Sequence, residues 1–266
     1  MTRSGFVIAA SLTLAACASG PQVAPEVRQE LAPSGTLRVG INAGNAAIMR
    51  QDLPPGELRG VPVDLARELG RRLGVPVQLK PYPTAGQAVA AGPAGEWDVA
   101  FVAIEPARAK ELAFSPPYVL IESTYLVQPG SKLHTVADVD REGVRIAVAE
   151  KGGNDLYLTR TLKSARLVRA KGGDAAFKQF VADKLDAYAG LRPGLVKLTE
   201  QLPGSRVLEG NYTMVQQAIA TPAARVKGAA YLRQFAEDVK ADGTVARAIK
   251  NNDLPGLTIA PRAAER

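Results

Sequence analysis

The chain has 266 residues, with 33 Lys and Arg against 26 Asp and Glu, a formal net charge of +7. A single cysteine and a single histidine exclude a disulfide framework and leave no metal-ligand cluster to assemble. The basic residues are spread along the chain without a run and without aromatic interleaving, so the charge reads as a solvated surface with a bias toward anionic ligands and not as a nucleic-acid face.

The amino end carries Arg3, then an apolar stretch with Phe6, Val7, Ile8, Leu12 and Leu14, then Leu14-Ala15-Ala16-Cys17. A segment this short is a secretory signal and not a membrane span. Its end resembles a bacterial lipoprotein box, which implies a diacylglycerol on the Cys17 thiol and a lipid anchor on the membrane. Two or more acyl chains would hold the protein there stably. Residues 18–33 read as a tether, broken by Gly20, Pro21, Pro25 and Pro33 and without a periodic face.

From there strands and helices alternate. Residues 36–41 place Leu37, Val39 and Ile41 on one face of a strand. Val61, Leu65, Leu69 and Leu73 recur every four residues, which predicts a helix over 61–73 ended by Gly74. A strand follows over 75–80 and a weak helix over 85–91. Residues 98–104 form a continuous apolar run suited to a central parallel strand. A short helix is expected at 107–112 and a strand at 124–128, closed by Pro129-Gly130.

A second series then begins. It has strands at 144–149, 166–169 and 185–189, with helices at 155–162 and 174–182 between them. The last extended piece is 213–220, and a helix over 226–241 ends at Asp242-Gly243. Strand–helix–strand units of this length argue for parallel sheets with helices on both faces. Two series suggest two sheets, with a ligand held beyond the carboxyl ends of their strands.

Several short pieces fit one pattern in order. They are Gly35-Thr36-Leu37-Arg38-Val39-Gly40, Gly60-Val61-Pro62-Val63-Asp64-Leu65-Ala66, Trp97-Asp98-Val99-Ala100, Glu105-Pro106-Ala107-Arg108-Ala109-Lys110, Phe114-Ser115-Pro116-Pro117-Tyr118 and Asp242-Gly243-Thr244. Together they resemble the amino-acid-type extracellular solute-binding family of ABC importers. The resemblance implies an α/β, two-lobed, periplasmic-binding-protein-like fold (a Venus flytrap), each lobe a mainly parallel sheet with flanking helices. Lobe one would be 34–123 with 217–260, and lobe two 124–216. It also implies a periplasmic, monomeric receptor that delivers a carboxylate-bearing small molecule to an ABC permease, without a cofactor.

The resemblance makes Arg108 the partner of the ligand's carboxylate, which its planar fork suits. Gly153 and Asn154, in Gly152-Gly153-Asn154-Asp155, open a helix whose free N–H groups attract anions, although Asn154 or Asp155 alternatively caps that helix. Asn42 and Asn45 follow the first strand at its carboxyl end and are candidates for the ligand's polar groups; a plain turn is the alternative. Gln216 or Gln217 faces the cleft, since strand alternation forbids both. Tyr82 and Tyr188 are core packing or an apolar wall, and His134 is an exposed loop residue.

Two departures separate the chain from the family pattern. Leu191 stands near the place of the aspartate that takes an amino acid's ammonium, and Ala103 stands where a hydroxyl is usual. Glu105 is then the candidate to replace the lost acid, or the ligand has no ammonium. The fold also hosts enzymes such as cyclohexadienyl dehydratases, which would need Glu105, Glu150 or Asp155 as a general acid or base. No carboxylate pair, Gly-x-Ser-x-Gly elbow or phosphate loop supports that alternative, so the chain reads as a receptor without catalytic residues. A sensory lipoprotein on the same fold is the other alternative.

Overall fold

Apolar spacing in the first half of the chain builds a helix-backed parallel sheet. The structure, a computed structural model, describes residues 23–263. Cys17, the signal segment and residues 18–22 lie outside the described residues. Helix α1 (Pro25–Leu31) is followed by β1 (Leu37–Asn42), α2 (Val61–Leu73), β2 (Val77–Tyr82), α3 (Ala85–Ala90), β3 (Val99–Ala103) and β4 (Leu112–Phe114).

Helix α2 follows its four-residue apolar stripe, with Val61, Leu65, Leu69 and Leu73 fully buried. It starts at Gly60, where a Cβ would stand 2.4 Å from the Ile48 carbonyl oxygen at a φ of 154°, so only glycine fits. It stops at Gly74 in the left-handed conformation, whose N–H closes onto Arg71 and Gly70.

The long strand β5 (Val119–Val127) leads into β6 (Arg145–Ala149), α4 (Gly153–Thr161), β7 (Arg166–Ala170), α5 (Gly173–Ala182), β8 (Ala187–Leu191), α6 (Arg192–Thr199) and β9 (Arg206–Val207). The chain returns through β10 (Thr213–Pro222) and ends with α7 (Val226–Ala241), α8 (Thr244–Asn251) and β11 (Thr258–Ile259). The strand order is β2-β1-β3-β10-β5-β8-β6-β7. The outer trios, β2-β1-β3 and β7-β6-β8, are parallel, and in each the first strand of the series lies in the middle. The antiparallel pair β5–β10 joins them.

The expectation of two separate sheets is therefore corrected. β5 and β10 are long enough to pair with each other and with one trio each, so one ladder runs through both lobes. The apolar cores remain separate. Lobe one packs Val39, Leu65, Phe101, Tyr118 and Phe235 on one face and Trp97 on the other. Lobe two packs Tyr125, Ile146, Val148 and Leu158 on one face and Phe177, Phe180 and Tyr188 on the other. Each lobe is a sheet with helices on both sides.

Two expected elements change, and one helix appears where none was expected. The tether is helical from Pro25, which stands at the start of α1. Leu31 of that helix is fully buried, and the Glu30 carboxylate accepts the Gly228 N–H of α7 at 2.7 Å. The short helix expected at 107–112 is a run of turns instead. Its last residue, Leu112, begins β4, which the ladder to β10 draws into strand. Helix α6, with Pro193 in its first turn, occupies a stretch without a clear apolar period. No described helix is long and apolar enough to cross a membrane.

Candidate functional site at the seam between the lobes

Strand β3 ends at Ala103, and the turns after it carry two buried charges, Glu105 and Arg108, each 5% exposed. Arg108 Nη1 donates to the Ala103 carbonyl at 2.8 Å. Its Nη2 reaches across to lobe two and donates to the Lys151 carbonyl at 3.1 Å. Both acceptors are neutral dipoles. Burial pushes the Arg108 guanidinium down to about 10, and the negative charge of Glu105 only partly opposes that.

Lobe two meets this turn with the start of α4. β6 ends at Ala149, Lys151 turns the chain at a φ of 57°, and Gly153 opens the helix. A Cβ on Gly153 would lie 3.5 Å from the Ala103 Cβ, 3.9 Å from Glu105 Oε1 and 4.0 Å from Val215 Cγ1. The helix start thus faces the carboxyl end of β3 directly, with its free N–H groups in a position to favour negative charge. Arg160, two turns further along α4, donates from Nη1 to Glu105 Oε2 at 2.6 Å.

Neither candidate caps α4: the cap position is Gly152 and no side chain bonds there, while Asp155 in the first turn reaches back past it. Its Oδ2 accepts the Lys151 N–H at 2.8 Å and its Oδ1 accepts Arg169 Nε at 2.8 Å. Asn154 is turned to the crossing strands, where its Oδ1 accepts Ser123 Oγ at 2.7 Å and the Tyr212 hydroxyl at 2.9 Å. This side chain therefore ties the helix start to β5 and to the residue that leads into β10.

Residues 37–252 match bacterial extracellular solute-binding proteins, family 3. The chain belongs to this family.

Solved structures with the same fold include a mutant of ArgBP from T. maritima, 22% identical, covering 85% of this chain and 99% of that one with a TM-score of 0.73. An ancestral amino acid-binding protein, AncCDT-1, a precursor of cyclohexadienyl dehydratase, is 24% identical, with 84% and 98% covered and a TM-score of 0.71. The amino acid ABC transporter substrate-binding protein AbpA from Streptococcus pneumoniae, bound to L-arginine, is 19% identical, with 84% and 96% covered and a TM-score of 0.71. No curated protein matches the chain.

The remaining candidates of this solute-binding chain divide. Asn42 ends β1 with its Oδ1 buried and without a hydrogen-bond partner among the described residues. Asn45 is spent locally, its Oδ1 accepting the Ala47 N–H at 3.2 Å in a turn. Gln216 points away from Gly153. It is exposed, and the alternation of β10 puts it on the face opposite Val215, the residue that meets Gly153. Gln217, paired with Ala103 and 4% exposed, is the glutamine on the seam side. Tyr188 packs against Phe177 and Phe180, and Tyr82 donates to Glu96 at 2.9 Å. His134 is exposed. Leu191 packs onto the lobe-one core. Glu105, the candidate replacement for the lost acid, is bound to Arg160 instead.

Sequence reasoning missed Arg160, Lys151, Ser123 and Tyr212. Two rim contacts were also out of its reach: a Cβ on Gly86 would stand 2.9 Å from Lys151 Cβ, and one on Gly172 would stand 3.3 Å from Thr84 Cγ2. Two shallow surface concavities, of about 530 and 370 Å³, lie on lobe one and are lined by no seam residue.

Proposed function

We propose that this chain is a periplasmic lipoprotein, anchored through Cys17, that closes its lobes on one small carboxylate-bearing solute and passes it as a monomer to an ABC permease. In this reading residues 34–123 with 217–260 move against residues 124–216, and the β5–β10 pair acts as the hinge. The observation that carries the reading is Arg108. It is a guanidinium almost out of water, held at the carboxyl end of a central strand, with two carbonyl oxygens as its hydrogen-bond acceptors. A solute carboxylate would give the fork the bidentate, charged partner it lacks. The start of α4 at Gly153 would face the same anion from the other lobe.

Binding fits better than catalysis. Glu105 and Asp155, two of the acids that could serve as a proton donor or acceptor, are each ion-paired with an arginine. The test is a thermal-shift screen over amino acids, dicarboxylates and small organic acids. A solute at ~100 times its Kd adds roughly 2.7 kcal/mol, on the order of 5–10 °C in Tm for a chain of this size. Arg108→Met should abolish that gain while leaving the ligand-free Tm equal or slightly higher, because a desolvated charge is removed. A solute whose shift survives the substitution intact would show that Arg108 is not the anchor.

A further inference from the structure

Glu105 sets a carboxylate of the protein's own beside the groups that a solute's carboxylate would use. Its Oε2 is held by Arg160 of lobe two at 2.6 Å, and its Oε1 lies at the first turn of α4, 3.9 Å from where a Cβ on Gly153 would stand. The side chain starts from lobe one, so this ion pair bridges the seam with its acidic half buried and its basic half 43% exposed. Resting on the reading of the seam as a solute cleft, we propose that Glu105 is a tethered competitor. It occupies the cationic side of lobe two, Arg160 and the start of α4, and a solute must displace it to bind.

The chemistry makes Glu105 a specificity determinant. A tethered group presents itself at an effective concentration that is millimolar or higher. A simple carboxylate with one point of attachment does not outcompete it. A solute that also engages Arg108, and so gains a second anchor that Glu105 leaves in carbonyl contact, does. The contact sets a threshold. If the bridged form holds about nine-tenths of the molecules, the apparent affinity of any carboxylate for the lobe-two groups falls about tenfold.

The experiment uses the full chain, its Glu105→Ala and Glu105→Gln variants, and formate and acetate as probes. Small-angle scattering reads lobe separation and thermal denaturation reads binding. The ligand-free wild type should be compact and indifferent to formate. Glu105→Ala should have a larger radius of gyration and a lower Tm, and formate should restore both, acting at a concentration at least about tenfold below any effect on the wild type. Adding Arg160→Met to Glu105→Ala should abolish the rescue, which a merely structural role for Glu105 would not predict.

Glu105→Gln keeps the shape of the side chain and should open in the same direction, so a failure of the alanine variant to fold leaves the test intact. A Glu105→Gln protein as compact as the wild type, or formate acting equally on variant and wild type, overturns the proposal. Because formate is the probe, a solute screen that finds nothing would count against the proposed function and not against this competition. A failed rescue would count against the competition alone.

Discussion

The two ends of β3 carry two buried charges treated in opposite ways. At the amino end Asp98 is fully buried and saturated. Its Oδ1 accepts Arg38 Nη2 at 2.7 Å and Arg225 Nη1 at 2.9 Å, and its Oδ2 accepts Arg38 Nε at 2.9 Å and the Arg38 N–H at 3.1 Å. At the carboxyl end Arg108 is nearly as buried and donates to carbonyls. The guanidiniums respond accordingly: the bond to Asp98 raises Arg38, while desolvation lowers Arg108 to about 10. A buried charge with full countercharge organises a fold. One held short of countercharge, at the strand end where open α/β sheets bind ligands, waits for a partner.

The largest expected effect tests the structural half of that contrast. Asp98→Ala strands two arginines that grip β1 and the start of α7 against β3. Breaking such a pair costs about 3 kcal/mol, the low end of its range because both arginines keep some contact with water. That is on the order of 10 °C in Tm by calorimetry. Solute affinity per folded molecule should not change. Loss of affinity at an unchanged Tm would erase the distinction between the two ends of the strand.

How much of this was legible follows the range of the interactions. Helix α2 is written locally in its apolar spacing and in the glycines at its ends, and β3 in an unbroken apolar run. The family pattern brought Arg108 and the start of α4 forward together. Arg160 meets Glu105 across 55 positions of sequence, and Ser123 and Tyr212 converge on Asn154 because two crossing strands happen to pass α4. No local period encodes such meetings. The parity of β10 shows the same limit: alternation separates Gln216 from Gln217, but only the ladder to Ala103 shows which one faces the seam. Helix α1 escaped notice because its apolar face is only Val27 and Leu31, too few to make a period.

An intermediate effect probes the ligand half. Gly86, in α3, abuts the residue whose carbonyl Arg108 uses, and a Cβ there would stand 2.9 Å from Lys151 Cβ. Gly86→Ala should push the rims apart and break the Arg108–Lys151 bond at a cost of about 1 kcal/mol, the better helix propensity of alanine offsetting part of it. Scattering should report a larger particle. Gly153→Ala is the control, since its Cβ meets its neighbours at ordinary distances of 3.5 Å or more. If both variants scatter like the wild type, the rim contact does not set the lobe spacing, and Arg108 does not depend on closure for its second acceptor.

The smallest effect concerns charge at the surface, where full pairing brings little stability. Glu68 of α2 takes Arg71 and Arg72 at 2.7 Å each, and Arg72 continues to Asp242 at 2.6 Å. The hydrogen bond from Arg71 is the largest influence on the Glu68 carboxyl; desolvation opposes it, and the bond from Arg72 adds to the lowering, which leaves the group at about 2 against an ordinary 4.5. A carboxyl lowered on folding contributes stability that is complete above its unfolded value. That stability disappears as pH falls from about 4.5 through about 2. Arg71 is exposed, and water also reaches Glu68, which is 18% accessible where Asp98 is 0%, so screening keeps the whole contribution to ~1 kcal/mol or less. Glu68→Gln should flatten the acid limb of the stability curve between those two pH values and leave neutral stability lower by that small amount. Urea titrations at pH 7 and pH 3 would measure it. A loss at pH 7 as large as that of Asp98→Ala would mean that burial is not what separates these arginine-paired carboxylates, and the contrast between the two ends of β3 would then need another cause.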